Sequence, residues 1–221
     1  MFTLHTELEA VGVMKALKYL IGSAFALTMV SATPALAVDL VAGSSHDLSV
    51  PAEEICVYCH TPHNGNTAIP APLWNRDMVV TSFAMYASPT LNMSIAADPQ
   101  AISLACLSCH DGVTAYNNIV QGTASNIGVM VAPFAVGLDG LGNDHPISIT
   151  YDIVADTAFN AATGIGAPGA NVGGLPLFDR VAGSNDQVEC ATCHNPHEAT
   201  NPSFLRATNV QSDLCTTCHI K

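Results

Sequence analysis

Every cysteine of the chain, eight in all, belongs to one five-residue motif written four times. It reads CVYCH from Cys56 to His60, CLSCH from Cys106 to His110, CATCH from Cys190 to His194 and CTTCH from Cys215 to His219. Two thiols three positions apart lie on one helical turn, close enough to form thioethers with the two vinyl groups of a single porphyrin. The histidine that follows then reaches the iron from the proximal face. This is the attachment signature of c-type haem. Cys56, Cys59, Cys106, Cys109, Cys190, Cys193, Cys215 and Cys218 are therefore read as anchors of four covalently attached c-type haems, with His60, His110, His194 and His219 as proximal iron ligands. Two all-thiolate zinc sites would use the same CxxC pairs, but a zinc ribbon does not require the histidine that follows every pair here.

The N-terminal region places the chain beyond a membrane. Residues 14–37 read MKALKYLIGSAFALTMVSATPALA, with Lys15 and Lys18 at a charged start, an apolar stretch from Tyr19 to Val30, and Ala35-Leu36-Ala37 as an A-x-A cleavage site. Residues 1–37 are expected to be a signal peptide preceded by an extension, with Met14 as the true start, because Glu7 and Glu9 precede a signal that should begin basic. The apolar stretch is too short to span a bilayer. Residues 38–221 then form a single domain carrying four haems, about 46 residues to each, against roughly 100–150 for an ordinary domain. So little chain must wrap around its cofactors and draw its buried apolar volume from them. Gly, Pro, Asn and Ser interrupt nearly everything after Val38, so no long period of 3.6 or 2.0 survives. The fold class expected is a multihaem cytochrome c: mostly ordered coil, with a few short helices and minor strands packed around a haem array. Pro99 to Cys109 reads as a helix, 118–136 and 146–154 as short strands, 162–174 as a loop, and Asp139 to Asp144 as a turn.

Nine histidines are present. Four are the proximal ligands and His5 lies in the segment expected to be removed, which leaves His46, His63, His145 and His197 as distal candidates for four irons. The equality predicts bis-histidine ligation throughout. Met78, Met85, Met93 and Met130 are the alternative ligands, and read better as packing. His63 follows His60 by three positions, as His197 follows His194, and such a pair cannot bind opposite faces of one iron. His63 and His197 must each reach another haem, which draws the haems into a stack. First cysteines at 56, 106, 190 and 215 make the last two haems tight neighbours, and CHTPHN with CHNPH forms a weak internal repeat of two halves.

The formal net charge is −12. Basic residues after position 37 are Arg76, Arg180, Arg206 and Lys221 only, which makes nucleic acid and anionic lipid poor partners. The three arginines are candidates to pair with haem propionates. No nucleotide-binding glycine motif or hydrolytic constellation appears, so no catalytic residue is assigned and the chain is not read as an enzyme.

At CVYCHTPHN…APLWNR, ACLSCHDG, NDHPISITY, VECATCHNPH and FLRATNVQSDLCTTCH the chain resembles the doubled-CXXCH multihaem cytochromes of metal-reducing bacteria. Its size, its four motifs and SSHDLS near position 46 are most similar to the tetrahaem extracellular cytochromes that polymerise into nanowires. The resemblance implies subunits whose bis-histidine haems form one continuous wire, copies of the chain stacked head to tail in a helical polymer. It also implies a histidine ligating a neighbour's haem, with His63 or His46 as donor. Partners would be further copies, redox proteins or extracellular metal oxides, and the protein would pass through the periplasm to the cell surface or beyond. A soluble periplasmic tetrahaem carrier is the alternative, and a multihaem reductase subunit with one five-coordinate haem is a third reading.

Overall fold

Among the described residues regular structure comes in short pieces, and most of the helices coincide with the attachment motifs. In the computed structural model, residues 41–137, 140–179 and 183–220 are described. The expected signal peptide, positions 38–40, Asp139, Arg180 and Lys221 lie outside them. Three α-helices are α1 (Ser103–His110), α2 (Cys190–Cys193) and α3 (Asp213–Cys218), and a 3-10 turn covers Ile55–Tyr58. Each carries both cysteines of a motif or, at Ile55–Tyr58, leads into the second. Four two-residue strands make two antiparallel ladders: β1 (Ile149–Thr150) with β4 (Gln187–Val188), and β2 (Asn171–Val172) with β3 (Leu175–Pro176). Three more 3-10 turns lie at Gly140–Gly142, Pro202–Phe204 and Val210–Ser212, and most of the other described residues are turn and coil with isolated bridges, as the spacing of Gly and Pro predicts. Among the described residues no helix is long and apolar enough to cross a membrane.

Three local expectations are corrected. The helix expected from Pro99 begins at Ser103, because Ala101 takes a positive φ of 46° and Ser103 Oγ is engaged elsewhere. Residues 118–136 form no strand beyond bridges of Ile119 to Arg76 and Val129 to Ala115. Residues 162–174 are not plain loop, since Gly173 and Gly174 form the two-residue turn of the β2–β3 hairpin, with φ of 55° and 91°. A turn with positive φ at both centres matches the strand twist and needs glycine. A Cβ at Gly173 would also stand 2.6 Å from Thr217 Cγ2, so the hairpin tip lies directly on α3.

The described residues fall within one compact unit, Ala37–Lys221, with two modest cores. One gathers Met93, Ile149, Tyr151, Ala170, Val172, Leu177 and Val188 around the two ladders, with Cys218 packed against it. The other is Phe83, Leu107 and Leu141, flanked by Met78, Met85 and Val136. Met78, Met85 and Met93 are thus packing residues, and Met130 accepts a hydrogen bond from Tyr116 Oη. Outside these cores Ile127, Val131, Phe134, Val154 and Val210 are largely exposed. A chain folding on its own apolar surface alone would not leave so many large side chains uncovered.

Candidate haem-attachment centre

One backbone bond closes each motif. The histidine N–H donates to the first cysteine's carbonyl in three of them: His60 to Cys56 at 2.7 Å, His194 to Cys190 at 3.0 Å and His219 to Cys215 at 2.9 Å. The second motif, Cys106 to His110, is the C-terminal part of α1. This single turn brings both thiols to one side and starts the imidazole away from the helix axis. All eight thiols are free. Neighbouring motifs sense each other through them. Burial and the nearby Cys109 push the Cys59 thiol up to about 12. A hydrogen bond with Cys190, together with burial, pushes Cys106 up. Burial, with Cys218 as the next cause, raises Cys193 to about 11. The anchors therefore run in series, first to second, second to third, third to fourth, and the closely spaced last two motifs are neighbours as expected. Thiols held protonated in this way resist adventitious oxidation.

The proximal rings are aimed by one recurring device. His60 Nδ1 bonds Pro72 O at 2.8 Å, His110 Nδ1 bonds Phe134 O at 2.9 Å, and His194 Nδ1 bonds Ser203 O at 2.7 Å. In each case the residue two positions on secures the same histidine's backbone: Trp74 bridges His60, Leu205 bridges His194, and Val136 N donates to His110 O. With Nδ1 committed as donor to a carbonyl, Nε2 is left as the ring's lone-pair nitrogen, the tautomer a metal ligand needs. Sequence reading missed these acceptors, although a signal was present. Pro72, Pro133 and Pro202 stand at or just before each acceptor, followed by Trp74, Val136 and Leu205.

Three of the four distal candidates stand opposite a proximal ring. His46 and His110 have ring centroids 6.2 Å apart, His60 and His197 6.0 Å, and His145 and His219 6.3 Å. Two imidazoles on opposite faces of one metal, each nitrogen about 2 Å from it, have ring centres roughly 6 Å apart. His197 thus stands beside the proximal histidine of the first motif rather than that of its own. His63 is exposed, with Nδ1 3.3 Å from Asn64 Nδ2, and among the described residues no ring contact pairs it or His194 with another imidazole. Burial, and after it the nearby His110, push His46 down to about 4, so its ring is uncharged at neutral pH.

The first and third motifs share a further clamp. Asn75 donates its N–H to Cys59 O at 2.9 Å and its Nδ2 to Val57 O at 2.7 Å. Arg206 donates its N–H to Cys193 O at 2.8 Å and its Nε to Ala191 O at 2.7 Å. Both grip the same places in their loops, the second cysteine and the residue after the first, so the weak sequence repeat is a structural one. The propionate expectation is corrected for Arg76. That side chain is fully buried, with its donors spent on backbone carbonyls, whereas among the described residues Arg206 engages a carbonyl through Nε alone.

The side chains fit haem on a second count. Trp74 Nε1 and His46 Nδ1 are buried without a protein partner among the described residues, and both lie beside a proximal ring, where propionate oxygens would serve them. Among the described residues no three His, Cys, Asp or Glu side chains gather as a metal cluster; six of the histidines stand in three facing pairs. Residues 183–221, holding the third and fourth motifs, match the doubled CXXCH motif family. No curated protein matches the chain. The paired motif supports a multihaem c-type cytochrome that carries covalently bound haem and transfers electrons.

Proposed function

We propose that the chain is an exported tetrahaem electron conduit whose copies join head to tail into a conductive filament at or beyond the cell surface. Residues 38–221 would form its one haem-bearing domain. The observation that carries this reading is the set of three imidazole pairs at 6.0–6.3 Å, each uniting a proximal histidine with a distant candidate. A haem between two imidazoles has no open coordination position and exchanges single electrons by outer-sphere transfer.

The residues have separable tasks. Cys56 and Cys59, Cys106 and Cys109, Cys190 and Cys193, and Cys215 and Cys218 hold the four haems. Carbonyls 72, 134 and 203 orient His60, His110 and His194 and raise their basicity, which favours low potentials. His46, His197 and His145 serve as distal ligands at the second, first and fourth motifs. His63 is then the ligand left for an iron held by His194, and its exposure suits a haem site in a neighbouring copy. His46, the other candidate bridge, is engaged with His110. A ligand given from one end of a copy to the next is a heterologous contact and propagates as a helix. The exposed apolar segment at Ile127, Val131 and Phe134 supports burial against haem faces or neighbouring copies. With both axial positions filled the protein is a conductor rather than an enzyme. Its acidic surface suits cationic redox partners and extracellular metal oxides.

Electron microscopy of cell-surface material, combined with a haem count, tests the reading. Filaments with four haems per chain are expected, and a protein that stays monomeric at high concentration overturns the polymer. In His63→Ala, assembly should be lost and one haem in four should turn high-spin and bind carbon monoxide. A variant that still assembles with every haem low-spin removes His63 as the bridge.

A further inference from the structure

The third residue of each of the first two attachment motifs is Tyr58 in CVYC and Ser108 in CLSC, and the carbonyls of both are gripped by one buried side chain. Arg76 Nε and Nη2 donate to Ser108 O at 3.1 and 3.0 Å. Nη1 donates to Tyr58 O at 3.4 Å and to Tyr116 O at 2.6 Å, and the second Nη2 proton goes to Ala115 O at 2.8 Å. A guanidinium has five N–H donors, and here all five end on neutral carbonyls. The charge is permanent, since arginine does not deprotonate in proteins. It is fully buried, so water does not screen it. Asp77, next in the chain, accepts from Asn66 Nδ2, and Asp111 directly follows the second motif. The latter is buried too and is occupied by Val113 N, Thr114 N and Thr114 Oγ1, not by Arg76. Tyr58 and Ser108 directly precede Cys59 and Cys109, the anchors through which the first two loops would hold their haems.

We infer that Arg76 is a positioning residue that locks the first two attachment loops in fixed relation and, as an unneutralised buried cation, holds the haem sites of those two motifs toward the reduced form. The inference rests on the haem reading above. Reduction adds one negative charge to a site, and a nearby fixed positive charge stabilises it. Among the described residues no equivalent cation bridges the third and fourth motifs: Arg206 grips the third loop, through Ala191 O and Cys193 O. The first two sites should therefore be the higher-potential pair, giving the array an electrical direction.

Spectroelectrochemical titration of the matured full chain tests this, with haem stoichiometry measured on the same sample. In Arg76→Gln, a protein with its full haem complement should show two of four reduction steps displaced at least tenfold toward the oxidised form, which is 59 mV for a one-electron step. The other two should stay in place. Four unchanged steps, or one uniform displacement of all four, overturn the inference. Should Arg76→Gln fail to mature, Arg76→Lys keeps the charge on fewer donors, and all four steps should lie within tenfold of the parent. A larger displacement toward the oxidised form there shows that charge is not the cause and overturns the inference. A parent protein without covalent haem removes the underlying reading instead.

Discussion

Arg76 and Glu189 are both buried charged residues, and each sits where two attachment loops meet, but the two junctions handle charge in opposite ways. Between the first and second loops Arg76 has every donor matched. Between the second and third, Glu189 is 1 % exposed. Its Oε2 accepts from Ser103 Oγ at the start of α1 and from Ser148 Oγ, while Oε1 has no partner among the described residues. Ser103 Oγ also accepts from Cys190 N at 2.9 Å, tying α1 to α2. Burial raises the Glu189 carboxyl to about 8. A guanidinium cannot shed its charge, so the fold had to surround it with carbonyls. A carboxyl can take up a proton instead, so partial satisfaction is tolerable. The first junction thus carries a fixed charge, and the second carries one that pH can switch.

The sharpest way to break this contrast is to empty both positions. Arg76→Met leaves the carbonyls of Tyr58, Ser108, Ala115 and Tyr116 buried without their donors, and should destabilise the haem-loaded protein by about 4 kcal/mol in guanidinium denaturation. Glu189→Gln replaces an already protonated acid by a neutral amide, and at pH 6 should cost less than about 1 kcal/mol. Equal losses would mean that Glu189 is held as a carboxylate and that the two junctions are alike.

The second contrast lies in pH. Because the folded-state value of Glu189 is raised above its unfolded value, the folded protein retains a proton that the unfolded chain has released. Stability should therefore be greatest below about pH 4.5 as far as this group is concerned, fall as pH rises toward about 8, and level off above it. The fall should be on the order of 5 kcal/mol, and it should vanish in Glu189→Gln. Arg76 contributes no such slope. Urea denaturation at pH 5, 6.5 and 8.5 measures it, and a slope that persists in the variant assigns the titration elsewhere.

What was legible in the residues and what was not follows from the range of the interaction involved. The attachment turns were visible because one i to i−4 bond and a five-residue pattern define them. The sparse secondary structure was visible because glycine and proline act locally. The rule that His197 must leave its own motif followed from three-residue spacing. That it faces His60 did not, because the pairing depends on contacts between segments far apart in the chain. Arg76 was misread for the same reason. As a residue type it suggests a propionate partner, and only the approach of segments 58, 108 and 115–116 shows carbonyls already waiting. The hairpin at Gly173 and Gly174 was a local signal passed over, since the flanking run of Ala and Gly masked two strands of only two residues each.

The smallest effect probes how much of the second junction's behaviour is hydrogen bonding rather than burial. Ser148→Ala removes one of two hydroxyls from Glu189 Oε2 and also the acceptor of Gln100 N, while Ser103 remains. At pH 5, where Glu189 is neutral, the cost should be about 1 kcal/mol. A hydroxyl donor favours the charged carboxylate, so its loss should push the carboxyl above its present value of about 8. The declining limb of the stability profile should then extend to higher pH, making the variant's deficit at pH 9 larger than at pH 5. A deficit equal at both values would mean that burial alone sets the carboxyl's affinity for its proton, with Ser148 acting only as a strut between Gln100 and α2.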